Sequence, residues 1–252
     1  MSPAIQLCSL SFNYPDGTPA LIDVTLRMEA GECVALLGPN GSGKSTLLHH
    51  LNGLLPERLP AAGGAVLIEG IPVTPDSIGS IRKRAGLLFQ DPDDQLFCGT
   101  VKEDVAFGPE QLQIPQPATD VIVHDALNKV GLLDLAHRPP HHLSTGEKRR
   151  ACLAGVLACS PGILVLDEPT SGLDPRGRRE LMALLRTIPA TKLIATHDLE
   201  LVVELCPRSV ILDKGRVIAD GPTVELLNDE SLMVAHGLER PHILQHRHPH
   251  AQ

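Results

Sequence analysis

Residues 38–46 read Gly-Pro-Asn-Gly-Ser-Gly-Lys-Ser-Thr, three glycines in six positions directly ahead of a lysine and two hydroxyls. An apolar run, Cys33 to Leu37, reads as a strand before this stretch, and Thr46 to Leu55 reads as a helix after it. Glycine allows the backbone to wrap with its N–H groups converging on an anion. The spacing G-x-x-x-x-G-K-[ST] between strand and helix is that of a phosphate-binding loop. Gly38, Asn40, Gly41, Ser42 and Gly43 then form the cradle, and Lys44 brings a point charge to the β- and γ-phosphates. The Ser45 hydroxyl is placed to ligate Mg²⁺, and the helix N-terminus adds partial positive charge.

The 252 residues are 42% hydrophobic, enough for one large α/β domain with or without a subdomain. Only 2% are aromatic, so Leu, Ile, Val and Ala must fill the core. A net charge of −8 argues against a surface that coats nucleic acid. No apolar run has the length of a membrane span, and the longest, Ala151 to Leu166, is broken by Ser160-Pro161-Gly162. No basic segment followed by an apolar one opens the chain, so no signal peptide is expected. Cys8, Cys33, Cys98, Cys152, Cys159 and Cys206 form no C-x-x-C pair and read as reduced, mostly buried residues of a cytosolic protein.

Strand-like and helical runs alternate, as an α/β sheet requires. Ile5–Ser11, Leu21–Met28 and Val66–Ile68 read as short β segments around the loop. Gly86–Gln90, Ile163–Asp167, Lys192–Thr196 and Val210–Leu212 read as strands of the main sheet. The Pro-rich middle has helical spacing at Val101–Phe107 and Thr119–Val130 and reads as an inserted helical subdomain. The expected division is a nucleotide-binding core at 1–90 and 160–225, with an N-terminal β subdomain. A helical subdomain spans 91–159, and a His-rich tail 226–252 carries His236, His242, His246, His248 and His250.

Ile163 to Leu166 is an apolar run ending in Asp167 and Glu168, the pattern of a strand buried on both faces. Asp167 is placed to hold Mg²⁺, directly or through water, and Glu168 to act as general base on an attacking water. Ser144 and Glu147 form a capping box, S-x-x-E, at the start of a helix running through Cys159. That box explains the local structure by itself; the functional alternative is that this helix N-terminus also addresses a phosphate.

Taken in order, the loop at 38–46, Gln90, Leu143–Glu147, Asp167-Glu168 with Ser171-Gly172-Leu173-Asp174, and His197 resemble the ATP-binding subunit of an ABC transporter over about residues 1–225. The resemblance implies a dimer, formed with a second copy or with a related second ATPase, in which ATP and Mg²⁺ are sandwiched between the loop of one subunit and the signature helix of the other. It implies that Lys44, Ser45 and Thr46 hold phosphate and Mg²⁺. Gln90 would contact Mg²⁺ or the attacking water, and Ser144 and Gly146 would reach the γ-phosphate in trans. Asp174 would couple the two sites and His197 would steady the γ-phosphate. Tyr14, the single tyrosine, falls where the family stacks an aromatic on adenine; its alternative is an edge aromatic of the core. Thr145 and Glu147 depart from the usual Gly and Gln of the signature.

Phe12–Gly17, Phe89–Phe97, Val101–Pro109 and Gly146–Arg150 resemble the ATPases of energy-coupling-factor transporters, most of all the cobalt/nickel importer ATPase. That implies a transmembrane coupling subunit, a membrane substrate-binding subunit and a peripheral place on the cytoplasmic face of the cell membrane. Asp93 and Asp94 would lie in the groove for the coupling helices, either pairing with its arginines or forming a solvated turn. The His-rich end fits Ni²⁺ or Co²⁺ cargo, or is merely polar; a vitamin is the other cargo class. The adjacent pairs His49-His50 and His141-His142 are expected to diverge and form no metal site. A DNA-repair ATPase would need a long coiled-coil insertion and a ribosome-acting one usually has two such domains, and neither is present. A nucleotide-binding module without turnover would not need the complete set with Glu168 and His197.

Overall fold

The computed structural model describes residues 2–61 and 64–238. The strands β1 (Ile5–Asn13) and β2 (Pro19–Met28) form a hairpin, and β3 (Cys33–Leu37) leads through the glycine loop into α1 (Lys44–Leu51). β4 (Val66–Ile68), β5 (Ile71–Pro72), α2 (Ile78–Arg84) and β6 (Ala85–Leu88) follow. Then come three helices, α3 (Val101–Gln111), α4 (Gln116–Lys129) and α5 (Thr145–Ala158). β7 (Ile163–Asp167), α6 (Pro175–Thr187), β8 (Thr191–Ala195), α7 (Leu199–Leu205), β9 (Arg208–Asp213) and β10 (Arg216–Pro222) complete the core. The short helices α8 (Thr223–Asn228) and α9 (Glu230–Ala235) come last.

The main sheet runs β10-β9-β3-β8-β7-β6, parallel except for the antiparallel β10–β9 pair. A smaller antiparallel sheet runs β2-β1-β4-β5. Alternation along β3 divides the core. Val34 and Leu36 point with α1 toward the small sheet, whereas Ala35 and Leu37 join Cys152, Leu153, Leu181 and Leu201 on the opposite face. Helices on one side and the small sheet on the other leave no face of β7 to solvent, so all five of its residues are buried. A third cluster, with Val101, Val105, Val123, Leu127 and Ala154, holds α3, α4 and α5 together. This is a P-loop α/β fold with an antiparallel β subdomain and a helical subdomain, the architecture expected from the sequence. The site residues follow from it: Leu37, Leu88, Asp167 and Ala195 end parallel strands, and ligands in such sheets bind beyond the carboxyl ends.

The strands expected from the sequence lie within two residues of those observed. β6 stops at Leu88 rather than Gln90, because the Phe89 N–H turns to the Gln95 side chain (3.2 Å). α1 starts at Lys44, where left-handed Gly43 ends the loop, and stops at Leu51, ahead of Gly53 (φ 62°) and Pro56. α4 begins at Gln116, just after Pro115 and with Pro117 in its first turn. Residues 226–235, expected in a tail, are largely helical: Leu227 and Met233 are fully buried in the core, and His236 Nδ1 meets Asp213 Oδ2 at 2.9 Å. His242, His246, His248 and His250 lie outside the described residues. His141 and His142 do not diverge; a 3-10 turn brings their rings to 4.3 Å, edge to face. Of the six cysteines only Cys152 and Cys206 are buried, and Cys33 Sγ stands 3.6 Å from Cys206 Sγ. Met233→Ala therefore removes core volume and should lower unfolding stability by about 2–5 kcal/mol in a urea melt; an unchanged midpoint would show that the last two helices lie outside the cooperative unit.

Candidate functional site

At Gly38 (φ 155°) an added Cβ would stand 2.1 Å from the Leu212 carbonyl oxygen, and at Gly43 (φ 105°) 2.6 Å from that of Ala20. Neither position has room for a side chain, so the loop is threaded between β9 and β2 and only glycine fits. Leu47 donates to the Gly43 carbonyl (2.9 Å), which leaves the N–H groups of the first turn of α1 without an intrahelical acceptor. They front a cavity of about 420 Å³ lined by Tyr14, Asn40, Gly41, Gly43, Lys44, Ser45, Thr46, Gln90, Asp167 and Glu168. Lys44 is buried, and its Nζ rests on the carbonyls of Gly38 (2.8 Å) and Pro39 (3.0 Å). Burial pushes its pKa down against the pull of Glu168 and Asp167. An ammonium held only by carbonyls is poised to exchange them for an anion. Ser42 Oγ is buried without a hydrogen-bond partner.

Burial raises the pKa of Asp167, opposed by a hydrogen bond from Ser45 and aided by the charge of Glu168. Glu168 sits in left-handed backbone (φ 45°), rare for a side chain of its size. Its N–H is held by the Ala195 carbonyl (2.8 Å). Its carboxylate meets His197 Nδ1 at 2.9 Å on one oxygen and accepts from Thr196 Oγ1 at 3.0 Å on the other. His197 itself is largely exposed. Thr196 in turn accepts from the Asp198 N–H (3.0 Å), and Asp198 is fixed by Thr170 (2.9 Å) and by a two-pronged pair with Arg178. The Glu168 carboxylate is thus aimed by a network reaching α6. Tyr14 is partly exposed; its hydroxyl bonds Thr46 Oγ1 (2.8 Å), and its ring meets Phe12 edge-on (5.3 Å). The phenol is anchored to the first turn of α1, and the residue lines the cavity.

The fit to nucleotide is good: inward N–H groups, a displaceable ammonium and hard oxygens converge on one cavity. Ser45, Asp167 and Gln90 offer the oxygen donors Mg²⁺ prefers, and phosphates and water usually complete its shell. Among the described residues no group of three His, Cys, Asp or Glu is arranged for a metal ion.

Ser144 caps α5 with the expected box: its N–H donates to Glu147 Oε2 (2.8 Å), and the Glu147 N–H reaches its hydroxyl (3.4 Å). Those bonds hold the Glu147 pKa down and turn the carboxylate onto its own helix. The Thr145 methyl lies against Gly172, where a Cβ would come within 3.2 Å of it, so the extra side chain is taken up by that glycine. Ser144, Gly146, Glu147 and Asp174 line a separate cavity of about 540 Å³ that shares no residue with the phosphate-loop cavity. Asp174 caps α6 through the Gly177 N–H (2.9 Å). Asp93 already accepts from Lys148 (2.5 Å), while Asp94 lines a groove of about 470 Å³ with Ser45, His49, Phe89, Gln90 and Asp167. Five residues were not foreseen. Thr18, Pro19 and Ala20 wall the nucleotide cavity from the β1–β2 turn, and no sequence signal marks them. Thr196 could have been suspected from its place beside His197. Arg149 is the buried member of a charged run, Glu147 to Arg150, whose other residues are only half-buried.

A strand–loop–helix that cradles phosphate, with a carboxylate pair at the end of β7, two places along the sheet from β3, defines a P-loop nucleotide hydrolase. The ABC transporter family model matches residues 21–171, and the chain belongs to that family as an ATP-hydrolysing member. It is 52% identical over 240 residues to a Streptomyces avermitilis protein assigned as an ABC transporter ATP-binding protein, covering 95% of this chain and 90% of that one. It is 45% identical over 242 residues to the energy-coupling factor transporter ATP-binding protein EcfA of Methanothermobacter thermautotrophicus (94% of this chain, 76% of EcfA). The structure of CbiO1 from Clostridium perfringens, part of the ABC transporter complex CbiONQ, aligns with a TM-score of 0.79 at 37% identity, over 97% of this chain and 98% of that one. Among the described residues no helix is long and apolar enough to cross a membrane.

A carboxylate whose pKa is raised by folding costs stability once it is ionised, so the cost is present at neutral pH and fades as pH falls toward the ordinary aspartate value of 3.8. Asp167→Asn should therefore raise the melting temperature of the nucleotide-free chain at pH 7, with a gain that shrinks on acidification. A pH-independent gain, or a loss at pH 7, would assign the Asp167 charge no net cost.

Proposed function

We propose that this chain is the ATP-hydrolysing subunit of an energy-coupling-factor importer, working as a dimer. The observation that carries the dimer is the split of the ATP machinery. The phosphate loop, Asp167 and Glu168 line one cavity, and the signature residues Ser144 and Gly146 line another with no member in common. A single chain then offers each half-site once, and two chains in opposed orientation complete two sites.

In that dimer Lys44 and the loop N–H groups of one chain bind the β- and γ-phosphates, and Ser144 and Gly146 of the other meet the γ-phosphate. Tyr14 stacks on adenine. Ser45 and Asp167 would hold Mg²⁺, with Gln90 beside it, and the ion would neutralise phosphate charge when bound. Glu168, oriented by His197 and Thr196, accepts the proton of the attacking water. His197 steadies the γ-phosphate, and Asp174 links the two sites. The groove with Gln90 and Asp94 receives the transmembrane coupling subunit, which works with a membrane substrate-binding subunit. Asp93 reaches a partner arginine only by exchanging Lys148.

For the cargo we propose a transition-metal ion, cobalt or nickel, supported by the His-rich C-terminus; the likeness of the Phe89–Phe97 and Val101–Pro109 segments to energy-coupling-factor ATPases supports the transporter class. A vitamin is the competing cargo. Uptake of labelled Ni²⁺, Co²⁺ and a vitamin panel by cells lacking their own importers, expressing this chain with its membrane partners, separates the two. Metal uptake that Glu168→Gln abolishes supports the first reading, and vitamin uptake replaces it. In the purified chain Glu168→Gln should bind ATP, accumulate as a stable dimer and hydrolyse about 100-fold or more slowly; turnover at the wild-type rate would remove Glu168 as the base.

A further inference from the structure

Arg149 lies on the second turn of α5 and is 3% exposed. Its neighbours in sequence make ordinary ion pairs, Lys148 with Asp93 and Arg150 with Glu180. Among the described residues Arg149 makes none. Its Nη1 donates to the Phe89 carbonyl (2.9 Å), its Nη2 to the Ser171 carbonyl (3.3 Å), and its Nε has no partner. Burial pushes its pKa down. The charges of Asp91, Asp167 and Glu168 act on it from a distance, but no carboxylate touches it; a guanidinium buried without a contacting carboxylate is an expensive way to fill a core, and a Met or Leu would pack there at less cost. What an apolar side chain cannot do is hold two carbonyls from different segments in one plane.

Those carbonyls belong to informative residues. Phe89 precedes Gln90 at the end of β6. Ser171 precedes Gly172, on which the Thr145 methyl rests, and Asp174, which starts α6. Phe89, Gln90 and Ser171 also line the groove of about 470 Å³ beside the nucleotide cavity. The fork therefore spans three segments: the signature helix that carries it, the Gln90 segment and the Ser171–Asp174 loop.

We propose that Arg149 is a positioning residue for ATP hydrolysis, locking the Gln90 segment and the Ser171–Asp174 loop to the signature helix so that the three move as one body. The inference rests on the ATPase and dimer reading above. Displacement of Gln90 from the groove side is passed by the guanidinium to Ser144, Gly146 and Asp174, the surface that faces the second chain. Arginine is required rather than lysine, because a planar fork with five N–H donors fixes two acceptors at once whereas an ammonium is a single freely rotating point.

The test uses purified full-length chain carrying Arg149→Met, which removes the fork while keeping the volume, and Arg149→Lys, which keeps the charge. Readouts are affinity for a fluorescent ATP analogue, thermal melting, and kcat and KM for ATP. Because the phosphate loop is untouched, analogue affinity should stay within about twofold of wild type in both variants, while kcat falls about 10- to 100-fold in Arg149→Met and less in Arg149→Lys, with KM nearly constant. Two results overturn the proposal: unchanged kcat in a folded Arg149→Met chain, or a loss of kcat matched by equal losses of analogue affinity and melting temperature, which describes a residue that only supports the fold. If Arg149→Met does not fold, Arg149→Lys decides by the same criteria. Wild type and Glu168→Gln are run alongside, so that failure of the hydrolysis reading appears as a wild type without turnover, whatever Arg149 does.

Discussion

At Gly38 and Gly43 the space a Cβ would occupy is filled by backbone oxygens of Leu212 and Ala20. That packing fixes more than a loop. It joins β3 to β9 on one side and to the β1–β2 hairpin on the other, and it sets the start of α1 at Lys44. The first turn of α1 then fronts the cavity that Gln90, Asp167 and Glu168 line from the ends of β6 and β7. Because a backbone oxygen cannot swing aside as a long side chain can, the loop has little freedom to relax. The cavity is consequently shaped before any ligand arrives, which reduces the ordering a phosphate chain must pay for on binding.

The charges around that cavity are arranged with the same economy. Lys44, Asp167 and Glu168 are all buried, within one cavity, and none of the three ion-pairs with another at close range. Lys44 is satisfied by carbonyls, Asp167 by Ser45, and Glu168 by His197 and Thr196. Each group keeps its charge for a ligand instead of spending it on a neighbour. The result is a strained and partly desolvated centre, with a left-handed backbone at Glu168 and shifted pKa values at Lys44 and Asp167. Such features concentrate where chemistry is done.

Much of this was legible in the residues because the physics is local. The glycine loop, the apolar run of β7 and the Ser144–Glu147 box each depend on neighbours a few positions away, and the structure has each as read. What escaped the sequence depends on distant partners. The two short C-terminal helices are held by burial of Leu227 and Met233 against the main sheet, a contact no local pattern encodes. His141 and His142 meet because a 3-10 turn, not a regular helix or strand, carries them. Cys33 and Cys206 are brought together across 173 positions of sequence. Thr196 and Arg149 act through hydrogen bonds that only the assembled sheet supplies. The helical subdomain was visible as a change of period, while the ends of its helices were set by prolines at 115 and 117 and by a second capping box at Thr100–Glu103.

The poverty of aromatic residues has an optical consequence. The chain has no tryptophan, and its single tyrosine, Tyr14, lies in the wall of the nucleotide cavity with its hydroxyl bonded to Thr46. Tyrosine emission from this chain therefore comes from one ring at one place. A base settling on that ring, or a change in the bond its phenol makes, alters the whole of the signal rather than a fraction of it. The native chain carries its own reporter for this wall of the nucleotide cavity, without a dye and without a substitution.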